Sequence, residues 1–300
     1  MNLFGTVVPM ATPTHGSQRS VDFESLSQFT NMLIDGGVHG LFPGSSIGEF
    51  SSLLREQNRR VVETVADASD DGTTVVAGCC DTSVDGVLNQ IDAADSAGAD
   101  AAVAVSPYYL GTTQTGLKRF FRVVADESPL PLLLYNIPQL TGNELTVDLL
   151  TSLADQDAIV GVKDTSGDLT YHRRVVTETP DDFAVFQGAT QLATASLEVG
   201  ANGLIAGPAN VFPETMTSLY DAYTRGDLGT AQQLMREIVT PLVTAMSDVP
   251  TAAAMKHLVR LEGLDIGDPL PPLPRLTDEE RDALGATYRQ VSKQASGQTV

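Results

Sequence analysis

A lysine closing an apolar run is the residue in this chain best placed for covalent chemistry. The run Ala158–Val162 ends in Lys163, followed by Asp164-Thr165-Ser166-Gly167-Asp168. At the mouth of a buried strand a lysine loses hydration, and desolvation favours the neutral amine, which attacks carbonyl carbons to form a Schiff base. The same lysine could instead pair with a carboxylate such as Asp164 and merely close the loop. Composition leans toward the chemical reading. There are four lysines (Lys118, Lys163, Lys256 and Lys293) against fourteen arginines, and lysine offers what arginine lacks, a nitrogen that can give up its proton. The preceding apolar run ends in Tyr135-Asn136-Ile137-Pro138. Its phenol suits the proton transfers of carbinolamine formation, dehydration and carbon–carbon cleavage, or else simply anchors the rim through its hydroxyl. Gly44-Ser45-Ser46-Ile47-Gly48-Glu49-Phe50 precedes a helix, where successive N–H groups make a seat for a carboxylate; such loops also begin ordinary helices. Ser106-Pro107-Tyr108-Tyr109 adds a phenol pair.

The elements that must hold these groups follow from periodicity. Eight short β-rich runs alternate with helical stretches: Thr6–Ala11, Gly40–Pro43, Thr74–Ala77, Ala101–Val105, Pro131–Tyr135, Ile159–Val162, Ala184–Gln187 and Gly203–Ala206. The intervening helices are expected near 22–36, 52–68, 84–97, 115–126, 145–153, 169–178, 190–199 and 212–224, mostly opened by Asp, Ser or Thr. Eight such units predict an α/β fold, a (β/α)8 TIM barrel, whose site lies at the C-terminal strand ends. An open doubly wound sheet would want an early GxGxxG turn, and none is present. The expected division is a catalytic barrel over residues 1–225 and a C-terminal helical extension over 226–300. That extension has helical stretches at Leu228–Met246, Thr251–Leu264 and 277–292, a proline-rich connector at 268–274, and a polar end at 295–300 expected to fray.

The formal net charge is −20 over 300 residues, a field that repels phosphate backbones and anionic membranes. Nucleic acid and membrane partners are therefore not expected, and no apolar run approaches the roughly 20 residues of a membrane-spanning helix. The opening residues read as no secretory signal, so the cytoplasm is the expected compartment. So acidic a chain fits a salt-rich cytoplasm that screens its self-repulsion. Cys79 and Cys80 are adjacent and read as small strand-end residues, and His15, His39, His172 and His257 are dispersed without ligand spacing, so no metal site is expected.

Together the 44–50 loop, Ser106–Tyr109, Tyr135–Pro138 and Gly161–Asp168 resemble the dihydrodipicolinate synthase and N-acetylneuraminate lyase family of class I aldolases. The likeness extends from Gly5 through Thr12-Pro13, Gly188 and Gly203-Leu204-Ile205 to Met255-Lys256. It implies a homotetramer built from two tight dimers, a 2-keto acid substrate and no cofactor. By the same resemblance, Lys163 forms the Schiff base, Tyr135 transfers protons and Ser46 stands for a relay hydroxyl. Tyr109 resembles a tyrosine lent to the neighbouring subunit's site. The substrate carboxylate would sit on the Ser46–Ile47 turn, with Gly188 and Ile205 as further substrate-binding positions.

Two departures narrow the substrate. Ile47 stands where the family usually has a second hydroxyl. Leu140 stands where synthases of dihydrodipicolinate carry an arginine that grips a carboxylate, and losing such a pair costs about 2–5 kcal/mol. This disfavours a 4-hydroxy-tetrahydrodipicolinate synthase, and the segment KDTSGD disfavours a sialic acid lyase. The expectation is an aldolase cleaving 2-keto-3-deoxygluconate, or its 6-phosphate, to pyruvate and glyceraldehyde or its 3-phosphate. A dehydratase of a related 2-keto-3-deoxy sugar acid begins from the same imine. A catalytically silent keto-acid-binding barrel would have lost Lys163 or Tyr135, and both are present. The stretch 110–115 after the tyrosine pair holds no basic residue for a phosphate, and Lys118, Arg119 and Arg122 are expected on the outer face of the next helix.

Overall fold

A computed structural model describes residues 3–15, 18–70 and 72–296. Eight parallel strands close a barrel: β1 Gly5–Pro9, β2 Gly40–Phe42, β3 Thr74–Gly78, β4 Ala101–Val105, β5 Leu132–Asn136, β6 Ile159–Asp164, β7 Ala184–Gln187 and β8 Gly203–Ile205. β1 pairs with both β2 and β8, which completes the ring. These strands are short, apolar and almost wholly buried because one face fills the barrel and the other lies under helices. In β4, Ala101, Val103 and Val105 join the interior cluster, while Ala102 and Ala104 join the layer beneath the helices. The barrel expected from the alternation is therefore the fold observed.

Helices follow the strands: α1 Phe23–Asp35, α2 Arg55–Ala68, α3 Val84–Ser96, α4 Gln114–Glu127, α5 Val147–Leu153, α6 Leu169–Glu178, α7 Ala193–Glu198 and α8 Pro213–Thr224. Side chains of Asp22, Ser83, Thr113, Thr146 and Asp168 accept hydrogen bonds from N–H groups of the first turns, satisfying donors that a helix leaves open. Of the three basic residues expected on the outer face of α4, Arg119 and Arg122 are exposed and Lys118 is half-buried. None of the described helices is long and apolar enough to cross a membrane.

Several boundaries differ from expectation, each for a local reason. β1 stops at Pro9 and not Ala11, since proline brings no N–H to the ladder. β6 runs to Asp164, because its last two residues still pair with Tyr135 and Asn136 of β5. The expected helix at 190–199 begins as a 3-10 turn, Thr190–Leu192, before α7. Leu228–Met246 is divided into α9 Leu228–Leu234, a π-type stretch Met235–Val239 and α10 Thr240–Met246. Pro241 lies just past that stretch and cannot close an ordinary backbone bond. The next helix, α11 Thr251–Leu261, ends three residues early, before Gly263 in a left-handed conformation. The last helix, α12, runs Asp278–Ser296. It thus takes in the start of the end expected to fray, and residues 297–300 lie outside the described residues. Leu258, Val259, Leu284 and Val291 of the tail share one buried cluster with residues of the barrel layer.

Candidate active site

Register brings the reactive groups together. Tyr135 pairs with Lys163 across β5 and β6, and Lys163 pairs with Phe186 across β6 and β7. Paired residues of parallel strands point to the same face, so lysine and phenol both enter the barrel mouth. Lys163 is only 5% exposed. Its Nζ lies 4.1 Å from the Tyr135 ring centroid and 5.1 Å from that of Phe42, two cation–π contacts. No carboxylate among the described residues lies within ion-pair reach of it.

Asp164, the neighbour that could have captured the amine, points the other way. Alternation along β6 sends its carboxylate out of the barrel, where it accepts from Asn136 Nδ2 at 3.1 Å and Ser166 N at 3.0 Å. His172 Nδ1 of α6 lies 3.1 Å from it, and both side chains are fully buried. The alternative reading of Lys163 as a loop-closing ion pair with Asp164 is therefore not what the geometry gives. Nor is the Tyr135 hydroxyl anchored: it has no hydrogen-bond partner among the described residues, although the residue is buried. Cys80 also faces this mouth, and burial pushes its thiol up to about 12 despite the pull of Lys163. A thiol held protonated is a poor nucleophile.

The turn after β2 supplies the complementary feature. Ser45 Oγ accepts from Gly48 N at 3.0 Å and Thr12 Oγ1 donates to Gly48 O at 2.8 Å, bracing the turn from within. The N–H groups of Ser46 and Ile47 meet no protein acceptor among the described residues. They remain able to receive an anion.

A cavity of about 410 Å³ joins these parts, and Ser46, Ile47, Tyr135, Lys163, Gly188 and Ile205 all line it. Gly188 is required by space: a Cβ there would overlap Thr165 Oγ1 and lie 2.9 Å from Lys163 Cε. A second, more open cavity of about 690 Å³ continues outward, sharing Ile47, Thr165, Gly188 and Thr251 with the first. Thr165, which the sequence placed only inside a motif, lines both, and its shielded Oγ1 has no hydrogen-bond partner among the described residues. Tyr109 is not gathered in; it is 93% exposed, on left-handed backbone at φ 76. The sequence also gave no sign that Thr251, Ala253 and Leu273 of the tail would wall the inner cavity.

The sequence pattern of the dihydrodipicolinate synthetase family matches residues 2–291. The chain belongs to this family. The fold and enzyme class implied by the resemblance are thereby shown: a dihydrodipicolinate synthetase family protein is a class I, pyruvate-dependent lyase. Among family members, a 4-hydroxy-tetrahydrodipicolinate synthase from Methanopyrus kandleri is 35% identical over 288 residues, covering 96% of each chain. An uncharacterized DapA-like lyase from Halobacterium salinarum is 34% identical, covering 95% of this chain and 93% of its own. The structure is similar to dihydrodipicolinate synthase DapA-2 from Bacillus anthracis, with a TM-score of 0.93 at 29% identity over 97% of this chain and 99% of that one. It is also similar to YagE, an E. coli K12 prophage protein of the family solved in complex with pyruvate, with a TM-score of 0.92 at 28% identity, again over 97% and 99%.

Proposed function

We propose that this lyase cleaves 2-keto-3-deoxygluconate to pyruvate and glyceraldehyde through an imine on Lys163. The 6-phosphate is a weaker fit. The observation that carries this reading is that, among the described residues, no lysine or arginine other than Lys163 lines either cavity, with Leu140, 68% exposed, at the inner one. Neither a carboxylate-bearing aldehyde nor a phosphate finds a cation there. Uncharged donors and acceptors are plentiful instead, among them Thr165, Ser166, Gln139, Thr190 and Gln191, and these suit a chain of hydroxyls.

In this mechanism the substrate carboxylate rests on the Ser46 and Ile47 N–H groups, with Ile205 as apolar floor. The neutral Lys163 amine attacks C2, and the carbinolamine loses water to give an iminium. Tyr135, relayed by Ser46, takes the C4 hydroxyl proton as the C3–C4 bond breaks, and the electron pair moves into the iminium to give an enamine. Glyceraldehyde leaves; protonation at C3 and hydrolysis release pyruvate and the free lysine. Tyr109 completes the neighbouring subunit's site in a homotetramer built from two dimers.

The 35% identity to a 4-hydroxy-tetrahydrodipicolinate synthase favours a second reading, condensation of pyruvate with a carboxylate-bearing aldehyde. Two measurements separate the possibilities. Borohydride reduction in the presence of pyruvate adds mass to the tryptic peptide containing residue 163, and an unmodified peptide rejects the imine. Parallel assays then compare cleavage of the sugar acid, cleavage of its 6-phosphate and the synthase condensation. Turnover of the sugar acid is expected to dominate, and dominant condensation would replace the aldolase reading with the synthase one. Release of 2-ketoglutarate semialdehyde from a five-carbon acid would mark a dehydratase.

A further inference from the structure

Just past the carboxylate seat, Glu49 holds left-handed backbone at φ 61, a region that side-chain-bearing residues rarely occupy. Its side chain is buried and doubly engaged. One carboxylate oxygen lies 2.6 Å from Lys256 Nζ on α11, and the other accepts from Leu270 N at 2.6 Å. Lys256, 1% exposed, donates hydrogen bonds to Thr14 Oγ1 at 2.9 Å and Asp268 O at 3.1 Å besides its ion pair with Glu49. Burial pushes its ammonium down from the ordinary lysine range, and Glu49 pulls against that shift.

The placement of this pair ties three parts of the site together. Glu49 lies two residues beyond Ile47, whose N–H forms the seat. Lys256 lies between Ala253, which lines the inner cavity, and the following turns of α11. Leu270 leads by a backbone turn into Leu273, another wall of that cavity, through a 3.0 Å bond from Leu273 N to Leu270 O. The bonds that brace the seat through Ser45 and Thr12 are neutral hydrogen bonds. The ion pair is what fixes the strained end of the turn.

We propose that Glu49 and Lys256 are positioning residues for the keto-acid seat. Neither touches substrate. Their ion pair holds the turn so that the Ser46 and Ile47 N–H groups converge on one carboxylate, and through Leu270 it sets Leu273 against the same cavity. This inference rests on the proposed imine chemistry at Lys163 and on the carboxylate seat.

The test titrates pyruvate in borohydride trapping at Lys163, comparing wild type with Glu49→Gln and with the double variant Glu49→Gln/Lys256→Met, which leaves no unpaired buried charge. Half-saturating pyruvate is expected to rise on the order of tenfold in both, with the trapping rate at saturation within about twofold of wild type. A merely structural pair would instead lower the amount of trappable protein and leave half-saturation unchanged; that result overturns the proposal. Thr14→Val keeps the side-chain volume and removes one acceptor from Lys256. It serves if the charge variants do not fold: a smaller rise supports the proposal, and an unchanged half-saturation overturns it. Failure of wild type to trap pyruvate at all refutes the imine chemistry itself, and the positioning role with it.

Discussion

Lys163 is surrounded by aromatic faces and not by carboxylates, which keeps its amine free to meet a carbonyl carbon. Because the Tyr135 ring face, at 4.1 Å, is what Nζ touches, Tyr135→Phe preserves the contact and removes only the hydroxyl. The variant should still trap pyruvate, while steady-state kcat for cleavage falls by about 10²–10⁴; an undiminished kcat removes Tyr135 from the proton transfers. Gly188 makes the opposite case, in which a side chain is harmful. An added methyl has no room beside Thr165 Oγ1 and Lys163 Cε, so Gly188→Ala should displace the lysine. Its trapping rate is expected to drop at least roughly tenfold with an unchanged circular dichroism spectrum. A wild-type rate would show that the lysine tolerates the displacement.

At the scale of the elements, strand ends opposite the site hold a titrating joint. His39, just before β2, accepts the Thr6 N–H of β1 on Nδ1 at 3.1 Å, which requires that nitrogen to be unprotonated. Desolvation lowers its pKa from 6.5, with Asp221 working in the other direction. The unfolded chain therefore binds the proton at higher pH than the fold does. Stability is present above the unfolded value and is lost as pH falls through it toward the folded one. Between about pH 7 and 5, Tm should fall more steeply for wild type than for His39→Gln. Parallel curves would show that His39 binds its proton equally well in the folded and unfolded chain, so that this joint adds no pH dependence.

For the molecule as a whole, a charge of −20 sets the behaviour in salt. Counterions screen the mutual repulsion of carboxylates, so Tm should climb along a potassium chloride series from low to molar concentration; a flat series would refute salt adaptation. Tyr109 stands outside its own chain's cavity, and the proposed assembly gives it work in a neighbour's. Tyr109→Ala and Lys163→Met, each inactive alone, should regain turnover when mixed and reassociated, since one site of each mixed dimer then has both groups. Mixtures that stay inactive would leave Tyr109 without a catalytic place.

The eight-unit barrel, the helix starts at Asp, Ser and Thr, and the strand-end motifs at Ser46, Tyr135 and Lys163 were all legible in the sequence. Each is a local pattern: period two against period three to four, or a reactive residue closing an apolar run. Contacts distant in sequence were not legible. Nothing local says that Asp164 turns away to His172, that Glu49 meets Lys256 across 207 positions, or that Leu273 returns to wall the cavity. The sequence determined which groups arrive at the barrel mouth, because a strand's alternation is written in its own residues. Only tertiary structure decided which of them meet, because closing the ring and folding the tail back bring together side chains that no periodicity relates.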